Sequence, residues 1–314
     1  MSNPKSVEAR QAFLNQRPFD GFNIDDTGIL NDLKERDSCP KCYKSRKFYC
    51  YSCYVPISDL EGKLPTVKLP FKIDIIKHQR EIEGKSTAGH AAILAHTDVK
   101  IYTYPDIPTY DNENVVLIYP SQTALTVSQL VNLESYSDIF KQQNQLLDDI
   151  PVGYSRSTLM KQIHESQQKQ YFTKIGKLPI TKAVFIDSTW NQSKGIYKDD
   201  RLKNIPCVVI QNRISQFWRH QKGSPRWYLA TIEAIHQFLV EVHIHCWGLH
   251  PDYEGVKNCF SEDCLERFQG LICDDVNAYN GQYDNLLFFF KHMYDLIHTY
   301  YQHEDLSAYK RDLR

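Results

Sequence analysis

The stretch Lys182-Ala-Val-Phe-Ile-Asp187-Ser-Thr189-Trp190-Asn-Gln192 decides how this chain folds. Its first half is short, apolar and partly β-branched, which is typical of a strand buried on both faces of a parallel sheet. Its second half places Asp187, Thr189 and Trp190 at the carboxyl end of that strand, where we expect a helix to begin. Open α/β sheets bind ligands in the crevice at such strand ends, so this stretch predicts both a fold class and a site.

Similar apolar runs lie on both sides of this stretch. They cover residues 71–78, 99–104, 115–120 and 207–211, and a helix-like segment separates the first two. Two longer segments have apolar residues three or four positions apart, which predicts helices over 227–242 and 286–301. The alternation of strands and helices predicts an α/β fold with a mostly parallel sheet.

The composition is that of a globular protein with balanced charge. The 314 residues include 37 Lys or Arg and 38 Asp or Glu, 42% are hydrophobic, and the net charge is −1. This balance excludes a polybasic protein that coats nucleic acid by bulk attraction. No apolar run is long enough to span a bilayer or to form a secretory signal. We therefore expect a protein of the nucleus or cytoplasm with no membrane partner, and no feature indicates an obligate protein partner.

The cysteines give the strongest local signal. Cys39-x-x-Cys42 and Cys50-x-x-Cys53 are separated by seven residues. Each pair places two thiolates on one tight turn, and two such turns supply the four sulfurs of a tetrahedral zinc site. We predict that Cys39, Cys42, Cys50 and Cys53 hold a structural zinc ion. The basic, aromatic loop between the pairs either touches RNA or belongs to a clip that only stabilises the amino-terminal arm.

Four further cysteines are interpreted as free thiols. Cys246, Cys259, Cys264 and Cys273 are separated by 13, 5 and 9 positions, spacings that match no usual metal pattern. A second metal site that includes nearby histidines is the alternative.

The segment Gly84-Lys85-Ser86-Thr87 looks like part of a phosphate-binding loop, because it lies between a predicted strand and a predicted helix. Such a loop needs a glycine five residues before Gly84, where this chain has Gln79. Two glutamates within the loop would also repel a triphosphate. The sequence therefore argues against an NTPase, although a helix start after Lys85 can still attract an RNA phosphate.

The motif Asp187-x-Thr189-Trp190 resembles the signature of the DTW-domain family. The two CxxC pairs, the strand end 117–120 (Leu-Ile-Tyr-Pro) and the run 231–234 (Thr-Ile-Glu-Ala) also fit, and the resemblance covers about residues 37–302. There are two departures. Ala230 stands where the family usually has Ser, and segment 246–280 looks like a lineage-specific insertion.

The resemblance implies a SPOUT-like knotted α/β fold and a tRNA-uridine aminocarboxypropyltransferase activity. Such an enzyme transfers the 3-amino-3-carboxypropyl group of S-adenosylmethionine to N3 of a tRNA uridine and releases 5'-methylthioadenosine. The expected product is acp3U at position 20 of the D-loop, with tRNA as the partner and S-adenosylmethionine as the donor. Two alternatives are an RNA methyltransferase of the same fold and a non-catalytic, zinc-containing RNA adaptor.

The chemistry of that reaction suggests roles for particular residues. Uridine N3 is a weak acid, so a carboxylate that accepts or orients its proton raises its nucleophilicity. Asp187 is the candidate, with capping of the following helix as the alternative. Trp190 either stacks on a base or belongs to the core, and Glu233 either binds the ammonium of the donor or is a solvated helical residue. The other residues assigned to the cofactor crevice are Leu117, Ile118, Tyr119, Pro120, Ser188, Thr189, Gln211, Asn212, Arg213 and Thr231.

The near-zero net charge is a sum of opposed patches. Segment 201–228 contains six basic and no acidic residues, whereas segment 252–312 contains twelve acidic and five basic ones. Aromatic residues are interleaved with the cations of the first segment, which suits looped RNA, and a solvated basic loop is the alternative. The candidate RNA-binding residues are Lys85, Arg201, Lys203, Arg219, His220, Lys222 and Arg226.

These features predict three parts of the chain. Residues 1–36 form a flexible arm, residues 37–60 form the zinc unit, and residues 61–314 form the catalytic domain. Surface insertions are expected in that domain at about 137–179 and 246–280.

Overall fold

The structure is a computed structural model that describes residues 15–111, 113–148, 178–221 and 224–311. The cysteine-rich part consists of two small antiparallel ladders. Strand β1 (Asp37–Ser38) pairs with β2 (Ser45–Arg46), and β3 (Tyr49–Cys50) pairs with β4 (Val55–Pro56). A 3-10 turn, Ser58–Leu60, leads from this unit into the main sheet.

Residues 15–36 are packed onto the domain. They include the short helix α1 (Gly28–Asn31), the fully buried Leu30, and Phe19, whose ring meets Phe290 edge-on at 6.2 Å. The Asn23 N–H donates to Asp284 Oδ2 at 2.7 Å. The expectation of a flexible arm is therefore wrong for residues 15–36, because apolar anchors fix this segment, and residues 1–14 lie outside the described ranges.

The centre of the fold is a parallel sheet. Its strands are β5 (Lys72–His78), β6 (Val99–Tyr104), β7 (Val115–Ile118), β8 (Leu125–Thr126), β9 (Lys182–Asp187) and β10 (Cys207–Val209). They are arranged in the order β6-β5-β9-β7-β10-β8, and every neighbouring pair is parallel. The predicted α/β class and parallel sheet are confirmed. All carboxyl ends therefore meet at one edge.

Helices cover both faces of this sheet. The helices are α2 (Ala88–Leu94), α3 (Val127–Val131), α4 (Tyr136–Asp148), α5 (Trp190–Tyr197), α6 (Thr231–Trp247), α7 (Val256–Cys259), α8 (Glu262–Arg267) and α9 (Phe288–Tyr300). Alternate residues of β5 separate two apolar clusters: Ile73 and Ile75 face α2 and α6, whereas Ile76 packs with Ile196 of α5. None of the described helices is both long and apolar enough to cross a membrane.

Helix α6 begins four residues later and ends five residues later than the sequence predicts. The Glu233 carboxylate accepts the Ala230 N–H at 2.9 Å, which fixes the start of the helix. Gly248 ends it with φ +93°, a conformation that only glycine adopts easily, and a Cβ there would collide with Cys273 Sγ.

The described parts of both predicted insertions are packed. Residues 136–148 form α4, whose Tyr136 hydroxyl donates to the Val115 carbonyl at 2.6 Å and whose Ile139 is fully buried. Segment 246–280 returns to the end of α6 through Leu249, which bridges to Ile272 and Tyr279. Residues 149–177, the rest of the first insertion, lie outside the described ranges.

Candidate active site and four-cysteine unit

Asp187 occupies the carboxyl end of β9 in the middle of the sheet. Strands β5 and β7 flank it, and Lys77 of β5 is its register partner. Its carboxylate accepts hydrogen bonds from Ser86 Oγ at 2.7 Å and from Thr231 Oγ1 at 2.5 Å. Asp187 is only 6% exposed. Burial raises its pKa, and this effect outweighs the two hydroxyls and the Lys77 ammonium, which lower it.

The alternative role of Asp187 as a helix cap is wrong. The residue at the cap position of α5 is Thr189, whose N–H donates to Gln192 Oε1 at 3.0 Å. Asp187 instead faces the other side of the sheet, toward α2 and α6. Because Asp187 does not cap α5, the start of that helix does not depend on the charge of Asp187.

Two helix starts converge on Asp187. Ser86 accepts the Ala88 N–H at 3.1 Å at the start of α2, and Thr87 Oγ1 accepts the Ile232 N–H of α6 at 3.1 Å. The site therefore includes Ser86, which the sequence analysis did not assign to it. The signal was present in the Gly84-to-Thr87 segment, whose Ser86 hydroxyl here orients a carboxylate.

Glu233 is fully buried, so its alternative role as a solvated residue is wrong. Its two oxygens accept from Ser215 Oγ at 2.6 Å and from the N–H groups of Gln216 and Ala230 at 2.7 and 2.9 Å. Glu233 thus ties the loop after β10 to the start of α6. It accepts the N–H of the residue before the helix, which is the half of a capping box that needs no hydroxyl on Ala230.

The residues that follow Asp187 line the outer part of the crevice. Ser188 is half-buried, and Thr189 is exposed. The half-buried Trp190 ring lies 4.4 Å from the Tyr228 ring, with the two planes tilted by 43°. These two rings form an aromatic pair close to the strand end.

The candidate crevice residues at the ends of β7 and β10 differ in how deeply they are buried. Leu117 is completely buried in the α5-side cluster, so its side chain does not reach the crevice. Ile118, Tyr119 and Pro120 are half-buried, and the Tyr119 ring stacks on Tyr197 at 4.3 Å.

After β10 the backbone turns under α6. The Gln211 N–H donates to Glu241 at 2.7 Å, and Asn212 is exposed. Arg213 is 5% exposed and its Nη1 donates to His236 Nδ1 at 3.1 Å, so its guanidinium belongs to the layer beneath α6.

The predicted RNA-binding residues divide into buried and accessible ones. Arg226 is 1% exposed, donates to the Ser215 carbonyl at 3.0 Å and packs over Tyr309, which contradicts its expected RNA contact. The Arg201 guanidinium donates to Asp199 and to the carbonyls of Ile107 and Pro105. With the buried Arg213, internal partners therefore neutralise or occupy three of the six cations counted in this segment.

The remaining candidates are more accessible. Lys85 and His220 are exposed, Arg219 is half-buried, and Lys203 is exposed in an ion pair with Asp200 at 2.6 Å. Burial lowers the pKa of Arg219. Lys222 lies outside the described residues.

The four cysteines of the amino-terminal unit form one compact group. Their sulfurs all lie within 4.8 Å of one another, and Cys42 Sγ is 3.6 Å from Cys50 Sγ. A tetrahedral zinc ion with Zn–S bonds of about 2.3 Å holds its sulfurs about 3.8 Å apart, so this geometry fits the ion. The predicted clustering of the two CxxC pairs is confirmed.

Backbone N–H groups donate to two of the four sulfurs. The N–H of Lys41 donates to Cys39 Sγ at 3.3 Å, and the N–H of Cys53 donates to Cys50 Sγ at 3.4 Å. Burial raises the pKa of Cys50, but the Arg46 guanidinium at 3.4 Å and the backbone donors outweigh it and lower the pKa to about 6. Such donors suit metal-bound sulfur.

The carboxyl-terminal cysteines do not form a second group of this kind. None of the four forms a disulfide, and the amino-terminal cluster is the one metal-competent group of His, Cys, Asp or Glu found across the described ranges. That these four cysteines are thiols and not ligands of a second metal stays a prediction.

Fold and site together define an α/β protein with a buried carboxylate in a strand-end crevice and a separate four-cysteine unit. A family model described as "DTW domain" matches residues 47–298, so the chain belongs to the DTW-domain family. This confirms the resemblance found in the sequence.

Curated relatives align along almost the whole chain. Proteins named tRNA-uridine aminocarboxypropyltransferase 1 from Xenopus laevis and Rattus norvegicus are 36% and 39% identical. The Xenopus alignment covers 95% of this chain and 97% of the relative, and the rat alignment covers 94% and 90%. The human protein of the same name is 35% identical over 94% of this chain and 90% of its own length. No solved structure matches the chain.

Proposed function

We propose that this protein is a transferase that moves the 3-amino-3-carboxypropyl group of S-adenosylmethionine to N3 of a tRNA uridine, with position 20 of the D-loop as the target. The observation that carries the proposal is Asp187, a buried carboxylate held by two hydroxyls at the strand-end edge. The names of relatives that align along the whole chain supply the reaction class.

The geometry suits proton removal from a weak acid. Each Asp187 oxygen accepts one hydroxyl among the described residues and keeps a further lone pair for a substrate proton. Burial raises its pKa, which makes the ionised carboxylate a stronger base than an exposed one. In the proposed step Asp187 accepts the N3 proton, and N3 forms a bond to the carbon of the 3-amino-3-carboxypropyl group that is attached to sulfur. The bond between that carbon and sulfur breaks, and its electron pair leaves with sulfur.

The donor fits the groups around the crevice. S-adenosylmethionine supplies an electrophilic carbon next to a sulfonium leaving group. The rings of Trp190 and Tyr228 would hold its adenine, and the Asp187 charge would attract its cationic part. The exposed Lys85 and His220, with Arg219, would contact tRNA phosphates.

We also propose that the cysteine group binds structural zinc. Four sulfur ligands close the coordination sphere, so the ion would hold the two turns together and leave no position for substrate. Elemental analysis of the purified protein tests this, with one zinc per chain expected and none overturning it. The proposal includes a SPOUT-like knotted fold, which is supported by the non-sequential strand order, with β9 between β5 and β7. It also includes a location in the nucleus or the cytoplasm.

Mass spectrometry of tRNA incubated with the protein and S-adenosylmethionine tests the activity. The expected product is acp3U together with 5'-methylthioadenosine. A methylated base would instead indicate a methyltransferase. Binding of tRNA with no modification, and no heat of binding for S-adenosylmethionine in calorimetry, would indicate an RNA adaptor.

A further inference from the structure

Lys77 is a buried cation that the proposed reaction does not use. It lies near the end of β5 and is 5% exposed. Its Nζ forms an ion pair with Glu83 Oε1 at 3.1 Å. A buried ammonium carries a large desolvation penalty. Its position beside the candidate base therefore suggests a functional role.

Glu83 is anchored by the four-cysteine unit. Ser52 Oγ, within the second CxxC turn, donates to Glu83 Oε2 at 2.7 Å. Arg46 in turn donates to Ser52 Oγ at 3.3 Å and to Cys50 Sγ at 3.4 Å. The guanidinium is itself held over the Tyr51 ring at 3.8 Å. These contacts fix the carboxylate that holds Lys77.

Lys77 and Asp187 share one face of the sheet. They are register partners on adjacent parallel strands, and such partners project their side chains in the same direction. The Lys77 charge favours the ionised form of Asp187.

Other charged groups around Asp187 act in different directions. Glu81, in the loop after β5, repels Asp187, and its own pKa is raised by burial and by that repulsion. Tyr54 directly follows the second CxxC pair and has φ +53°. Its phenol interacts electrostatically with both Lys77 and Asp187. Ser86 and Thr231 are neutral donors to Asp187.

We propose that Lys77 is a positioning residue that keeps Asp187 ionised at neutral pH, and that the Glu83 contact with the four-cysteine unit holds it in place. This inference rests on the proposed function. In this inference the cysteine unit has a second role besides binding zinc. Ser52 of the unit holds Glu83, and Glu83 holds Lys77 at the edge of the active site.

The test is the pH–rate profile of single-turnover transfer. In Lys77→Met the acidic limb should move to higher pH, because Asp187 loses its cation, and the rate below the limb should fall about tenfold for each unit of that move. Lys77→Arg should restore the limb. Lys72→Met is the matched control, since Lys72 lies on the same strand but is exposed and paired with Asp98 at 2.6 Å.

Glu83→Gln provides a second variant, with the same sign and a smaller effect. It removes the charge that pairs with Lys77, so Lys77 is held less firmly and the limb should move to higher pH by less than in Lys77→Met. Loss of packing alone would lower the plateau of both variants without moving their limbs. Limbs at the wild-type position in both variants would overturn the inference, whereas absence of acp3U with the wild-type protein would overturn the proposed function.

Discussion

Two buried aspartates, Asp187 and Asp284, differ in how their charge is satisfied. Asp284 has 0% exposure and accepts from His236 Nε2 at 2.9 Å, from the hydroxyls of Tyr253 and Tyr279 at 2.8 and 2.7 Å, and from the Asn23 N–H at 2.7 Å. Burial raises its pKa, but these donors outweigh burial and lower it. Asp187 has two hydroxyl donors, and its pKa is raised.

The difference separates a structural carboxylate from a reactive one. Asp284 is enclosed by donors that join residues 15–36, α6 and segment 246–280, so protonation or removal affects packing. Asp187 lies at the strand-end edge with two hydroxyl donors among the described residues, so lone pairs of its carboxylate are available for a substrate proton.

The largest expected effect is on the reaction when Asp187 changes. Asp187→Asn keeps the shape of the side chain but removes the base, so transfer to tRNA should fall by about a hundredfold or more. Single-turnover assays with quantified acp3U measure this. Asp284→Asn is the matched control, and activity per folded molecule should stay within a few-fold of wild type. Full activity of Asp187→Asn would remove the distinction between the two aspartates.

The next effect is on folding when Asp284 changes. Asp284→Ala leaves His236 and two tyrosine hydroxyls buried without their acceptor, and we expect the free energy of unfolding to fall by about 3–5 kcal/mol. Urea denaturation measures it. Asp295→Ala removes an exposed pair with Lys291 and should change stability by about 0.5 kcal/mol or less. Equal losses from the two variants would contradict a structural role for Asp284.

A smaller effect is expected from the hydroxyls of Asp187. Ser86→Ala and Thr231→Val each remove one donor to the ionised carboxylate, worth about 1.5 kcal/mol, so the pKa of Asp187 should rise. The acidic limb of the pH–rate profile should then move to higher pH. Ser193→Ala is the control, because that buried hydroxyl donates to the Trp190 carbonyl at 2.9 Å, away from Asp187. If neither variant moved the limb, Asp187 would not set it.

The sequence predicted the features that depend on local pattern. The strand ending at Asp187 and the grouping of the two CxxC pairs follow from short-range spacing, and both are found. The position of Asp187 at the sheet edge followed from the parallel order of strands.

Tertiary contacts decide the features that the sequence left open. Ser86 reaches Asp187 across 101 positions of the chain, and no local pattern marks that pairing. The basic segment was counted as six cations, yet Arg226 is buried over the Tyr309 ring and Arg201 is held by Asp199. Composition cannot distinguish an arginine that faces solvent from one that crosslinks loops.

The smallest expected effect is the opposite pH dependence of stability in the two aspartate variants. The raised pKa of folded Asp187 means that its contribution is fully present below the unfolded pKa and is lost as pH rises through the folded value. Asp187→Asn should therefore gain stability relative to wild type as pH rises above the unfolded pKa. The lowered pKa of Asp284 means that its contribution is present above the unfolded pKa and is lost as pH falls through the folded value, so Asp284→Asn should lose stability relative to wild type as pH rises. Urea midpoints at several pH values measure both, and slopes of the same sign would show that the two carboxylates are satisfied alike.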